Sequence, residues 1–199
     1  MSEPTPVQVI ACGALAHEIV AVLRLAGWRH VSVQCLPPEL HNRPERIAAA
    51  VRAAIRGARA AGRRAFVAYA DCGTGGSLDA VLLAEGVERL PGAHCYELYT
   101  GPGLFAELAE REPGTFYLTD FLARHFERLV WRGLGLDRHP QLRELYFGNY
   151  RRLLYLSQAE PAPAMAAARE AAERLGLVFE HRATGYGVLA TGLARAAVA

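Results

Sequence analysis

Lysine is absent from this chain, although basic residues are common in it. All 22 basic residues among the 199 are arginine. No Schiff base can therefore form between a lysine amine and a carbonyl substrate or a pyridoxal cofactor. The lysine of a phosphate-binding P-loop is excluded for the same reason.

Long apolar runs are missing as well. No apolar segment approaches the roughly 18 residues that a helix needs to span a bilayer. Residues 1–8 also lack the basic segment and apolar stretch that mark a secretory signal. We therefore expect a cytoplasmic protein with no membrane partner. Because the formal net charge is only +2, with acidic and basic residues interleaved, we expect no nucleic-acid partner either.

The composition is typical of a globular protein. Hydrophobic residues make up 52% of the chain and charged residues 21%, and a chain of this length buries roughly 70% of its unfolded surface. No internal repeat or low-complexity linker divides the sequence. We therefore predict a single α/β domain over residues 1–199.

Short apolar runs of β character alternate with segments of helical spacing. The β-like runs are 7–11, 31–35, 65–70, 152–157 and 178–182. This alternation predicts a mostly parallel, Rossmann-like sheet with helices on both faces, in three layers. The segment of about 103–150 has mainly helical spacing, and we interpret it as a helical insertion.

Three of the four cysteines are expected at one edge of this sheet. Cys12 follows the first strand, Cys72 follows the third, and Cys95 comes after the next helix. Ligands bind at the carboxyl ends of parallel strands, so the three thiols would meet where the fold places its site. Cys35 alternates with valines in the second strand, and we expect it in the core.

Nitrogen and oxygen donors accompany the three thiols. His41 lies in the loop after the second strand, and His94 and Glu97 flank Cys95. Thiolates combined with such donors are typical zinc ligands. We therefore predict a metal site, with zinc as the first choice and iron or an iron–sulfur cluster as the alternative. Its ligands are drawn from Cys12, Cys72, Cys95, His41, His94 and Glu97.

The same cysteines allow two other interpretations. Each thiol can pack in the core as a small apolar group. One thiol can also act as a nucleophile, with His41 or His94 as its base. The chain contains no C-x-x-C pair, so neither a zinc ribbon nor a ferredoxin cluster is indicated.

A glycine-rich loop follows the third predicted strand, with the sequence D-C-G-T-G-G-S at 71–77. Glycines let the backbone approach a ligand, and a helix N-terminus capped by Ser77 would offer N–H groups to an anion. The predicted cofactor-binding residues are Gly73, Thr74, Gly75, Gly76 and Ser77. The acidic-x-Gly-x-Gly pattern is similar to the start of the nucleoside site in methyltransferases that use S-adenosylmethionine. A turn without a ligand is the other interpretation.

Several longer blocks occur in a fixed order. They are A-C-G-A-L at 11–15, L-H-N-R-P at 40–44, D-C-G-T-G-G at 71–76, H-C-Y-E at 94–97, F-Y-L-T-D-F at 116–121, Y-F-G-N-Y at 146–150 and T-G-Y-G at 184–187. Together they resemble an uncharacterised bacterial and archaeal family catalogued as domain of unknown function 1638. The resemblance extends from about residue 9 to residue 187.

This resemblance implies a biochemical context. Relatives are often encoded near corrinoid-dependent methyltransferases of one-carbon metabolism, which implies a small-molecule ligand and a corrinoid methyltransferase system as partner. Zinc suits that context because it holds bound thiols as thiolates for methyl transfer. We expect a metal-binding protein that binds or transforms a small molecule, either as a methyl-transfer enzyme or as an accessory binding module. An S-adenosylmethionine-binding methyltransferase is the alternative.

Overall fold

The structure is a computed structural model that describes residues 4–159 and 162–198. The contacts divide the described chain into two compact units. Unit 1 runs to Leu98 and resumes at Val188, and unit 2 extends from Tyr99 to Gly187. The α/β class with parallel strands is confirmed in both units. Within the described ranges, no helix combines the length and apolar character needed to cross a membrane.

Unit 1 is built on a parallel sheet with the strand order β2-β1-β3. Its strands are β1 (Val7–Cys12), β2 (Val31–Leu36) and β3 (Arg64–Ala68). Its helices are α1 (Ala16–Ala26), α2 (Ile47–Ala60), α3 (Ser77–Glu85) and α9 (Leu189–Val198). Helix α4 (Cys95–Thr100) contains the point where the chain leaves unit 1.

The core of unit 1 follows from the apolar pattern of its elements. The central strand β1 is buried along nearly its whole length, as expected for a strand with neighbours on both sides. Helix α2 buries Ile47, Val51 and Ile55, which recur every four residues on one helix face. This packing fixes the carboxyl ends of β1 and β3 beside each other, because Ala11 pairs with Ala68.

Strand β2 lies at one end of this sheet, and its burial differs from the prediction. Cys35 is exposed, so its predicted place in the core is wrong. Val31 and Val33, with which it alternates, are only half-buried. An alternating pattern specifies which residues share a face, but it does not show that the face is covered.

Unit 2 contains a second parallel sheet, with the strand order β4-β5-β6. Its strands are β4 (Thr115–Thr119), β5 (Arg152–Ser157) and β6 (Val178–Ala183). Its helices are α5 (Pro102–Arg111), α6 (Asp120–Arg124), α7 (Leu142–Phe147) and α8 (Met165–Leu175). A π-helical segment, Glu127–Trp131, lies between α6 and α7.

The predicted helical insertion therefore contains a strand. Residues 115–119 read T-F-Y-L-T, a short run of β-branched and aromatic residues that favours a strand over a helix. Because the apolar residues on both sides of this run have helical spacing, the strand was not recognised from the sequence. As a consequence, the described strands form two sheets, whereas the sequence predicted one.

A buried polar clasp joins the carboxyl ends of β4 and β5. The carboxylate of Asp120, which is 2% exposed, accepts hydrogen bonds from the Tyr155 hydroxyl and from the Gln158 amide. The Gln158 side chain in turn accepts a hydrogen bond from the Asp120 amide at 2.8 Å. Each buried group thus has a partner, as a stable polar network in a core requires.

Replacing Asp120 with alanine should destabilise the protein by about 3 kcal/mol, because buried donors lose their acceptor. Urea unfolding of Asp120→Ala measures this change. Asp137→Ala is the matched control, since Asp137 is exposed and its ion pair with the neighbouring Arg138 is a loose 4.0 Å contact. An equal loss of stability in both variants would contradict the stabilising role of the Asp120 hydrogen bonds.

Candidate functional site

The carboxyl end of the sheet in unit 1 carries the three predicted thiols. Cys12 ends β1, Cys72 lies in the loop after β3, and Cys95 begins α4. Burial is the main cause that raises the pKa of Cys12 and Cys95, and the charge of Cys72 raises both further. The three thiols are therefore within electrostatic reach of one another. We call Cys12, Cys72 and Cys95 the thiol cluster.

Cys12 lies beside His41. Cys12 is 3% exposed, and its sulfur accepts a hydrogen bond from the Ala14 amide at 3.3 Å. The Nδ1 atom of His41 lies 3.7 Å from this sulfur and 3.1 Å from the Pro38 carbonyl oxygen. A carbonyl oxygen can only accept, so the hydrogen bond to Pro38 places a proton on Nδ1.

The imidazole of His41 is neutral at pH 7. Burial lowers its pKa, the hydrogen bond to Pro38 opposes this effect, and the charge of nearby His94 lowers the pKa further. In this tautomer the lone pair lies on Nε2. The Nδ1 atom that faces Cys12 therefore cannot accept the thiol proton.

Gly13 makes the approach of His41 to Cys12 possible. A Cβ atom at this position would lie 3.0 Å from the carbonyl oxygen of Leu36 and 3.1 Å from Cδ of Pro38. Glycine thus lets the segment after β2 pass close to the end of β1. The short helix Pro38–Asn42, which carries His41, begins at this contact.

Burial keeps the thiol cluster protonated. It raises the pKa of Cys12 to about 12 and that of Cys72 to about 11, and it raises the pKa of Cys95 well above its usual range. Thiolates are the nucleophiles in cysteine catalysis, and catalytic cysteines have lowered pKa values. These shifts oppose the interpretation of the cluster as a thiol nucleophile with a histidine base.

The backbone holds Cys72 in an unfavourable conformation. Its φ of +52° is the one positive value at a non-glycine residue in the described part of the chain. The Cys72 amide donates to the Ala93 carbonyl at 2.8 Å, and the Asp71 amide donates to the Gly92 carbonyl at 3.0 Å. These bonds tie the Cys72 loop to the segment that leads into Cys95.

The backbone amides of the glycine-rich loop form hydrogen bonds within the loop itself. The Asp71 carboxylate accepts from the Thr74 hydroxyl at 2.6 Å and from the Gly75 and Gly76 amides at 3.2 Å each. These bonds lower the pKa of Asp71. The Ser77 amide donates to the Thr74 carbonyl, and the N-cap of α3 is Gly76, so the predicted cap at Ser77 is wrong.

This arrangement favours a structural turn, because the amides of Gly75 and Gly76 already have an acceptor. Binding of a nucleoside or an anion by residues 73–77 stays a prediction. A ligand there would have to displace the Asp71 carboxylate from both amides.

Glu97 is engaged by the backbone, whereas His94 lies within electrostatic reach of His41. The Glu97 carboxylate accepts a hydrogen bond from the Ala93 amide at 2.9 Å, so it caps the segment before α4. His94 lies beside Tyr96, with ring centroids 6.2 Å apart. Across residues 4–159 and 162–198, no group of three or more His, Cys, Asp or Glu side chains is arranged to hold a metal ion. The three thiols interact electrostatically, but among the described residues they do not form a metal cage.

Two residues of this region were not found from the sequence. Tyr69 follows β3, is fully buried, and stacks on His41 with ring centroids 6.3 Å apart. Arg89 pairs with Asp79 at 2.6 Å and donates to the Gly92 carbonyl at 3.2 Å, which supports the loop beside Cys72. For Tyr69, the only signal in the sequence was a tyrosine within the apolar run 65–70. For Arg89, the sequence held no signal.

A family model described as "Protein of unknown function (DUF1638)" matches residues 35–193. The chain belongs to this family. The match includes His41, Cys72 and Cys95, but it begins after Cys12, whereas the resemblance in the sequence began near residue 9. No curated protein and no solved structure matches the chain.

The four thiols of this DUF1638 protein should react at different rates. Cys35 is exposed, so iodoacetamide should modify it first at pH 7.5. The thiol cluster should react at least ~10-fold more slowly, because its thiols are less exposed than Cys35 and their pKa values are raised. Mass spectrometry of a time course measures the rates, and Cys35→Ser should remove the fast phase. Modification of Cys72 at the rate of Cys35 would refute the assigned protonation.

The strain at Cys72 predicts an unusual order of stabilities. Cys72→Gly should be about 1 kcal/mol more stable than Cys72→Ala, because glycine adopts a positive φ without a steric cost. Both variants lose the same thiol, so their difference isolates the backbone. Thermal or urea unfolding measures it. An alanine variant as stable as the glycine variant would show that Cys72 is not strained.

Proposed function

We propose that the protein binds a soft metal ion, zinc in the first place, through the thiols of Cys12, Cys72 and Cys95. The observation that carries this proposal is that a buried thiol, Cys12, and two half-buried thiols, Cys72 and Cys95, lie within electrostatic reach of one another. Thiolates are preferred ligands of zinc and of other soft metal ions. Packing alone needs no such grouping.

His41 is the proposed nitrogen ligand. The 3.7 Å between its Nδ1 and the Cys12 sulfur is close to the roughly 3.6 Å between a sulfur and a nitrogen ligand of one tetrahedral zinc ion. Nδ1 becomes a ligand when its proton moves to Nε2 and the bond to Pro38 breaks. Glu97 stays outside the proposed set, since its carboxylate already caps the Ala93 amide.

Proton release accounts for the difference between the described conformation and a metal cage. Neutral thiols pack as small apolar groups, whereas metal binding requires thiolates. With pKa values of about 12 and 11 for Cys12 and Cys72, binding at pH 7 would release about three protons from the cluster. Side-chain rotation towards the ion would accompany this release.

A site with three thiolates leaves a fourth position that decides its role. An imidazole in that position closes the site, as in structural zinc centres, whereas a small molecule requires it open. Zinc holds a bound thiol as a thiolate. We propose methyl-group metabolism, with a corrinoid methyltransferase system as partner, as the context in which a small-molecule ligand takes the fourth position in place of His41. The support for this context is the family resemblance.

Titration with Co²⁺, a spectroscopic substitute for zinc, tests the metal site. Under anaerobic conditions the protein should bind one equivalent and develop the intense sulfur-to-cobalt charge-transfer absorption of thiolate ligation. Zinc should displace the cobalt. Cys12→Ser, Cys72→Ser and Cys95→Ser should each weaken binding by at least ~10-fold.

Cys35→Ser is the matched control for this titration. It removes an exposed thiol from the same sheet and should leave both the absorption and the affinity unchanged. Absence of a charge-transfer band in the reduced wild-type protein would overturn the proposed function. So would an equal loss of binding in the Cys35→Ser control.

A further inference from the structure

The hydroxyl of Tyr69 lies in the interior beside the thiol cluster. Tyr69 is 0% exposed, and its two sequence neighbours are buried alanines. Ala68, the residue before it, pairs with Ala11, the residue before Cys12. The sheet register therefore places Tyr69 and Cys12 next to each other, where β3 and β1 end.

No well-formed hydrogen bond links this hydroxyl to a described residue, although it lies close enough to the Cys12 sulfur to interact with it. Buried tyrosines usually bond through their hydroxyl, since an unpartnered polar group in the interior is unfavourable. The neighbouring acceptor is the Cys12 sulfur, at the end of the adjacent strand β1. A neutral thiol is a weak acceptor, whereas a thiolate is a strong one.

We propose that Tyr69 is a positioning residue that donates a hydrogen bond to the Cys12 sulfur when this sulfur is bound to the metal as a thiolate. The inference rests on the proposed function. The Ala14 amide already donates to the same sulfur at 3.3 Å, so the bound thiolate would have two donors. Such outer hydrogen bonds orient a ligand and reduce the negative charge on its sulfur.

The ring of Tyr69 would also orient the nitrogen ligand. It stacks nearly parallel to the imidazole of His41, with an angle of 12° between the ring planes. One side chain thus contacts both Cys12 and His41. Its hydroxyl and its ring act on different ligands, so replacement by phenylalanine removes only the hydrogen bond.

Tyr69→Phe tests the inference because it should have opposite effects on the two forms of the protein. Without metal, the variant should be as stable as the wild type or more stable, since it loses an unpartnered buried hydroxyl. In the cobalt form, affinity should fall ~10-fold or more, and the charge-transfer band should move to lower energy. Urea unfolding and Co²⁺ titration measure these effects.

Two further measurements link the effect to Cys12. In a Cys12→Ser background, Tyr69→Phe should no longer change the metal affinity, because the acceptor is gone. In the wild-type protein, zinc should perturb the tyrosine absorption band, and this difference spectrum should be absent from Tyr69→Phe. Tyr117→Phe, which alters a buried tyrosine of unit 2, should leave metal affinity unchanged.

The possible outcomes separate the two proposals. Thiolate ligation in the wild type with unchanged affinity in Tyr69→Phe would overturn the role of Tyr69 and leave the metal site standing. If the metal-free Tyr69→Phe protein loses as much free energy of unfolding as the variant loses in free energy of metal binding, Tyr69 has a merely structural role. A wild-type protein that binds no metal would overturn both proposals.

Discussion

The low exposure of three thiols that interact electrostatically is the constraint on which the rest of the site depends. A buried thiol resists ionisation, and a neighbouring thiolate increases that resistance, so the cluster is neutral at physiological pH. Such a cluster is a poor nucleophile. A cation among the sulfurs would reverse this balance, because it stabilises the thiolates that burial and mutual repulsion oppose.

The surrounding backbone maintains this arrangement at a cost. Gly13 admits the segment that carries His41, and Cys72 keeps a positive φ that glycine would adopt more easily. Asp71 and Arg89 hold the two neighbouring loops in place through hydrogen bonds to backbone groups. A position where strain is kept together with a particular side chain points to a use for that side chain.

Periodicity predicted the α/β class and most strands, because apolar runs and helical spacing directly reflect burial. It also placed Cys12 and Cys72 after β1 and β3. It could not find β4, a five-residue strand between helical segments, and this omission merged two sheets into one. The exposure of Cys35, the capping by Glu97 and the burial of Tyr69 depend on tertiary neighbours, which alternation along the chain does not specify.

X-ray absorption spectroscopy at the zinc edge would test the central claim most directly. The protein, loaded with one equivalent of zinc under reducing conditions, should show three sulfur neighbours at about 2.3 Å and one lighter neighbour. Cys95→Ser should reduce the sulfur count by one, and Cys35→Ser should leave it unchanged. A shell of nitrogen and oxygen alone would contradict the account, because the thiol cluster would then take no part in metal binding.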